Sequence, residues 1–267
     1  MDIKLALFDV DGTLVTHVTH ILLDSTVDAI HQLQQQGIKV AIASGRTEYA
    51  LDKEVLEKVK FDYLISSNGA SVFDVEKQEY LYLHDYPIEL VEDLMDKVAA
   101  VKGGLIFQYN HAGYCYLDNE GFGKGFRHYL DLNEEEVIDY TKRQDKHQQE
   151  LPNHILARIP DDVFEEFIKQ FPQLNFVRFL PEYYDVNAKF INKAFGLNKI
   201  LTELNFNPEQ VIAFGDGQND IEMLSEVGVS VAMGNGDSNI KAMADYVTTD
   251  TDKDGIRNAL LHYDLIK

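Results

Sequence analysis

Four apolar residues, Leu5-Ala6-Leu7-Phe8, end abruptly in the acidic turn Asp9-Val10-Asp11-Gly12-Thr13, and this junction limits the fold more than any other stretch of the chain. The run is too short and too continuous for an amphipathic helix, so it reads as a strand buried on both faces. Similar runs recur at 39–43, 63–66, 211–214 and 229–232. Helical patterns lie between or beyond them at 25–36, 47–60, 189–205, 220–227, 238–243 and 255–261. Asp24 or Ser25 is a plausible cap for the first helix, and Gly37 is its stop. Continuous apolar strands joined by helices require a parallel sheet covered on both sides, which is α/β architecture with a Rossmann-like, doubly wound core.

The middle of the chain has another texture. Alternating apolar and polar residues at 71–75 and 80–83, separated by Glu76-Lys77-Gln78-Glu79, predict a hairpin. Short strand patterns follow at 105–109, 114–117, 155–159 and 176–179, with helical ones at 88–101 and 161–171. This predicts an inserted α+β domain over 84–184, with 1–83 and 185–267 forming one discontinuous core. The polar segment 131–151 reads as exposed helix or loop with no site in it.

Composition excludes several functions. The 267 residues carry a formal charge of −21, which repels nucleic acid and anionic lipid alike. No run approaches the ~20 apolar residues that span a bilayer. The first residues lack the basic start and small-residue cleavage site of a secretory signal. The single cysteine, Cys115, reads as a small apolar residue and fits a reducing cytoplasm. No nucleic-acid or membrane partner is expected.

Chemistry concentrates where strands end. Asp9 and Asp11 share one side if the first strand continues, and Gly12 lets the chain turn away. Gly215-Asp216-Gly217-Gln218-Asn219-Asp220 follows the apolar run 211–214 in the same manner. Four acids brought to one sheet edge repel one another unless a cation intervenes, and a hard divalent ion with oxygen ligands meets that need. The third strand ends in Ser44-Gly45-Arg46, where a hydroxyl and backbone N–H groups at a helix start near Thr47 favour an anion. Lys193 adds positive charge.

In that order these strings resemble the four motifs of the haloacid-dehalogenase-like phosphohydrolases, and more narrowly the Cof-type sugar-phosphatase family. The resemblance extends to Ile42–Arg46, Ser67-Asn68-Gly69-Ala70, Val231–Asn235, Lys241–Val247 and Asp252–Gly255. It implies that the inserted domain is a cap over the substrate. It also implies a Mg²⁺-dependent phosphomonoesterase working through an aspartyl-phosphate on a small phosphorylated metabolite. Asp9 is then the nucleophile and Asp11 the general acid and base. Asp9, Asp216 and the Asp11 backbone carbonyl hold the metal. Val10, Ser44, Gly45, Lys193 and Asn219 hold the phosphate, and Asp220 and Thr13 support these groups, Asp220 by orienting Lys193 or a metal-bound water. Lys193 rather than Lys189 takes the lysine position, by its spacing to Gly196-Leu197.

Cap residues that could read the substrate are Tyr109, Tyr114, Tyr116, Lys124, Arg127 and Arg178, and Asn68 either faces substrate or serves a turn. The nine histidines, including the His17/His20 pair, show no metal-ligand spacing. Two alternatives stand beside the phosphatase. A phosphomutase would return the phosphoryl group to a sugar. A phospho-receiver or binding protein would use strand-end acids without turnover.

Overall fold

The computed structural model describes residues 2–17 and 19–267, and the chain forms two compact units. The first takes the residues up to Gly45, then Leu51–Tyr82 and Asn192–Lys267. Among its described residues the sheet runs, edge to edge, Tyr246–Val247, Val229–Ala232, Val211–Gly215, Leu5–Phe8, Lys39–Ala43, Tyr63–Ser66, Ser71–Asp74 and Glu79–Leu83. From Tyr246–Val247 to Tyr63–Ser66 all pairs are parallel. Ser71–Asp74 then returns antiparallel.

Alternation of side chains explains why these strands are apolar throughout. Ala6, Phe8, Ile42 and Phe214 pack with Ala29, Ile30 and Leu33 of helix Asp24–Gln35 and with Ile256 and Leu260 of helix Gly255–His262. Leu5, Leu7, Ala43 and Ala213 face the other way, onto Leu197 and Ile200 of helix Lys193–Leu204 and Met223 of helix Ile221–Ser225. Phe8 and Phe214 stack with ring centroids 5.0 Å apart. Truncating either ring to alanine would cost about 3–5 kcal/mol. Chain order runs one way from Leu5–Phe8 through Lys39–Ala43 to Tyr63–Ser66, and Val211–Gly215, Val229–Ala232 and Tyr246–Val247 lie on the opposite side of Leu5–Phe8. Open sheets of this kind bind ligands beyond the strand ends at that reversal.

The second unit comprises Arg46–Ala50 and Leu83–Ile191. Its sheet runs Leu174–Leu180, Tyr183–Ala188, His154–Arg158, Gly104–Gln108, Gly113–Leu117 and Val137–Asp139. Only the last pair is parallel among the described strands. Ile106, Cys115 and Leu156 pack on Phe122 and on Phe126 of helix Lys124–Leu130. Burial there pushes the Cys115 thiol up to about 12, so it is an inert core group.

Several boundaries differ from the sequence reading. Strand Tyr183–Ala188 is hydrogen-bonded to strands on both sides, which carries 185–191 into the second unit instead of the first. Arg46–Ala50 joins that unit too, because Thr47 Oγ1 and Tyr49 OH both donate to Gln108 Oε1, at 3.0 and 2.5 Å. The expected helix over 47–60 is a 3-10 turn, Glu48–Ala50, and a helix, Lys53–Lys58. Asp52 separates them by capping the second, accepting from the N–H groups of Glu54 and Val55. The helix expected from 189 begins at Lys193, where Asn192 Oδ1 accepts from Phe195 N–H at 2.8 Å. Segment 161–171 is helical only over Phe164–Ile168. Segment 131–151 supplies the edge strand Val137–Asp139 and the buried His147, so it is not wholly exposed. No described helix is long and apolar enough to cross a membrane.

Candidate active site

Phe8 stands in parallel register with both Phe214 and Ile42. The residues after these strands, Asp9, Gly215-Asp216 and Ser44, therefore emerge at one sheet edge. Asp9 N–H donates to Phe214 O at 3.0 Å, which locks the first turn against the strand that leads to Asp216.

At the centre, the fully buried Lys193 ammonium donates to Asp9 Oδ1 and Asp220 Oδ1, each at 2.6 Å. Asp220 Oδ2 accepts from the backbone N–H groups of Asp216 and Gly217, both at 3.0 Å. Both Asp220 oxygens are thus engaged, and its carboxylate is a brace between the lysine and the Asp216 turn. Burial, then the Asp220 charge, pushes the Asp9 carboxyl well above its ordinary range, and Lys193 opposes this only in part. Burial alone would lower the Lys193 ammonium, but Asp220 and Asp9 outweigh it and raise the group. Asp9 and Asp220 share this one lysine, with the Asp216 carboxylate close by.

That excess of negative charge is what a divalent cation neutralises. Asp9, Asp216 and Asp220 each offer an oxygen within 4.8 Å of the others, all buried. With Asp220 engaged, Asp9 and Asp216 are the fitting side-chain donors, and an all-oxygen set suits Mg²⁺. Gly12 (φ +86°) lies so close that a Cβ on it would fall 2.3 Å from Asp216 Oδ2.

The remaining anticipated residues fall around this centre. Thr13 Oγ1 donates to Asp216 Oδ1 at a long 3.4 Å. Val10 is buried, and its carbonyl accepts from the N–H groups of Thr13, Leu14 and Val15, closing the turn. Ser44 is buried and Gly45 follows it. Asn219 Nδ2 donates to Asn68 Oδ1 at 3.0 Å. Asp11 stands apart from the buried carboxylates: its side chain is one-third exposed, with His20 Nδ1 3.8 Å away.

Four contacts escaped the sequence reading. His17 Nε2 lies 2.8 Å from Asp216 Oδ2, and that hydrogen bond raises the imidazole despite its partial burial. Asn235 Nδ2 donates to the Gly12 carbonyl at 2.8 Å, and Thr251 Oγ1 donates to the same oxygen. Thr251 N–H in turn fixes Asn235 Oδ1 at 2.9 Å. The strings around Asn235 and Thr251 were visible as family-like stretches, but nothing local signals that they grip a turn more than 200 positions away.

Most residues expected to read substrate are occupied within the second unit itself. Tyr109 and Tyr116 are buried in an aromatic cluster with Phe107, Tyr114, Tyr140 and His147. Arg127 donates to Asn119 Oδ1 and Val137 O, Lys124 pairs with Glu120, and Arg178 pairs with Asp161.

Residues 6–260 match the haloacid dehalogenase-like hydrolase family. The chain is 32% identical to YkrA of Bacillus subtilis over 267 residues, all of both proteins. It is 31% identical to the 5-amino-6-(5-phospho-D-ribitylamino)uracil phosphatase YcsE of the same organism, over 98% of this chain and 96% of that one. Among solved structures it is similar to the HAD subclass IIB sugar phosphatase BT4131, with a TM-score of 0.85, 30% identity, and coverage of 98% and 100%. The acids gathered at this sheet edge and the likeness along the whole chain agree, and the protein belongs to the haloacid dehalogenase-like hydrolase family.

Proposed function

We propose that this protein is a Mg²⁺-dependent phosphomonoesterase that works through a phosphoryl group carried on Asp9. The observation that carries the reading is the buried Lys193 ammonium, bonded at 2.6 Å to both Asp9 and Asp220, with the Asp216 carboxylate in the same cluster. Phosphate would enter a site whose lysine is already aimed at the nucleophile.

A carboxylate oxygen of Asp9 attacks phosphorus, the ester P–O bond breaks, and Asp11 gives its proton to the departing alkoxide. The partial exposure of Asp11 suits a group that must meet both leaving group and water. Asp11, now ionised, takes a proton from water as the water oxygen attacks the same phosphorus. The bond to Asp9 breaks, its carboxylate is restored and inorganic phosphate leaves. Ser44 Oγ, the N–H groups of Val10 and Gly45, Lys193 and the Asn219 amide hold the transferring oxygens. Thr13 steadies Asp216, and Asp220 steadies Lys193. Asp9, Asp216 and the Asp11 carbonyl would hold Mg²⁺, which supplies the positive charge that lets two anions approach.

Small phosphorylated metabolites, sugar phosphates foremost, are the proposed substrates, supported by the 30% likeness to a sugar phosphatase. We assign the second unit the role of a cap that selects the leaving group, and the reaction to the cytoplasm. Phosphate release from a panel of phosphomonoesters, with Mg²⁺ and with a chelator, tests the reading. Release that needs the metal supports it. No release from any ester, release undiminished by chelation, or isomerised sugar phosphate in place of free phosphate overturns it.

A further inference from the structure

Ser67, Asn68 and Gly69 carry three successive positive φ angles, +51°, +53° and +102°, directly after strand Tyr63–Ser66. Two side-chain-bearing residues in a left-handed conformation are costly, and such strain persists only where surrounding contacts hold it. These residues are also buried, Asn68 being 5% exposed. Glycine would serve the backbone at position 68 better than asparagine, so the side chain needs its own explanation.

Its contacts supply one. Asn68 N–H donates to the Ser44 carbonyl at 2.9 Å, which ties the segment to the end of strand Lys39–Ala43. Asn68 Oδ1 accepts from Asn219 Nδ2 at 3.0 Å. Its carboxamide lies against Gly45, where a Cβ would meet both Asn68 Oδ1 and Nδ2 at 3.3 Å. The next residue, Gly69, packs so tightly on the cap of the Lys193 helix that a Cβ there would fall 2.2 Å from Asn192 O. The strained segment therefore touches three of the elements that bring a donor to the phosphate position: the Ser44-Gly45 strand end, Asn219, and the start of the Lys193 helix.

We infer that Asn68 is a positioning residue for oxyanion binding, one that turns the Asn219 carboxamide so that its second N–H faces the phosphate. This inference rests on the phosphatase reading above. An amide has two N–H hydrogens, and anchoring one through Asn68 Oδ1 sets the direction of the other. Without Asn68 the Asn219 side chain must lose rotational freedom when phosphate binds, and affinity falls.

The test uses Asn68→Gly, Asn219→Ala and the double variant, with inorganic phosphate and Mg²⁺ as the calorimetric probe. Asn68→Gly is expected to melt at or above the wild-type temperature, since glycine accepts the left-handed backbone. It is also expected to bind phosphate about tenfold more weakly, the scale of one hydrogen bond to a charged group. The double variant should bind no worse than Asn219→Ala alone, because Asn68 acts through Asn219. A purely structural turn residue would lower the melting temperature without that coupling. Wild-type affinity in Asn68→Gly, a depressed melting temperature, or losses that multiply in the double variant would each overturn the inference. A wild-type protein that binds phosphate but cleaves no ester overturns the phosphatase reading alone, and the affinity comparison still decides Asn68.

Discussion

Lys193 reaches across 184 positions of sequence to donate to Asp9 Oδ1 at 2.6 Å, and the same ammonium holds Asp220 at the same distance. A lysine with no exposed surface is stable there only because two carboxylates replace its water. Lys193→Met should therefore destabilise the protein by about 3–5 kcal/mol in urea unfolding, the cost of leaving buried acids uncompensated. Adding Asp220→Asn should cost less than the sum of the single changes. While its carboxylate partners stay ionised, the raised lysine contributes fully below its ordinary 10.5 and loses that contribution as pH climbs through the higher folded value.

Asp9→Asn keeps the size of the side chain and removes one anion from a crowded cluster. Circular dichroism should show an unchanged fold, while phosphate release falls by ~10³-fold or more. Activity near that of the wild type would remove Asp9 from the role of nucleophile.

Divalent metal should stabilise the folded chain. At a hundredfold excess over its dissociation constant, Mg²⁺ is expected to add about 2.7 kcal/mol, read as a rise in melting temperature. Asp216→Asn should abolish most of that rise, because Asp216 is one of the two side chains proposed to hold the metal.

Gly12 joins a left-handed φ of +86° to a close approach on Asp216 Oδ2. Gly12→Ala should cost about 1–2 kcal/mol from backbone conformation alone. Its methyl group would also push Asp216 away, so catalytic efficiency should fall by more than stability does. Parallel urea and kcat/KM measurements separate the two effects.

His84 packs edge-on against Tyr86 and Phe190, with centroids 4.6 and 5.5 Å away, and burial lowers its imidazole below the ordinary 6.5. In the unfolded chain the proton binds at the ordinary value, so the unfolded state holds more protons just below it. Stability should decline as pH falls from 6.5 through the folded value, and His84→Gln should flatten that part of the profile. An identical pH profile in the variant would exclude His84 as its source.

The chain alone determined the parallel sheet and the location of its chemistry. Leu5–Phe8 and the run before Gly215 are apolar at every position because both faces are covered, and that pattern needs no knowledge of the partner. Asp9 and Asp216 follow those strands within one residue of the last paired position, so their gathering at one edge follows from strand register. Tertiary structure decided what a one-dimensional pattern does not encode. That Asp220 spends both oxygens on Lys193 and on backbone N–H groups depends on where a turn aims its side chain. That Asn235, Thr251, His17 and Asn68 close around the turns at this sheet edge depends on contacts between distant segments. The break at Asp52 and the capture of Arg46–Ala50 by Gln108 arise likewise, where side-chain hydrogen bonds overrode a continuous helical pattern.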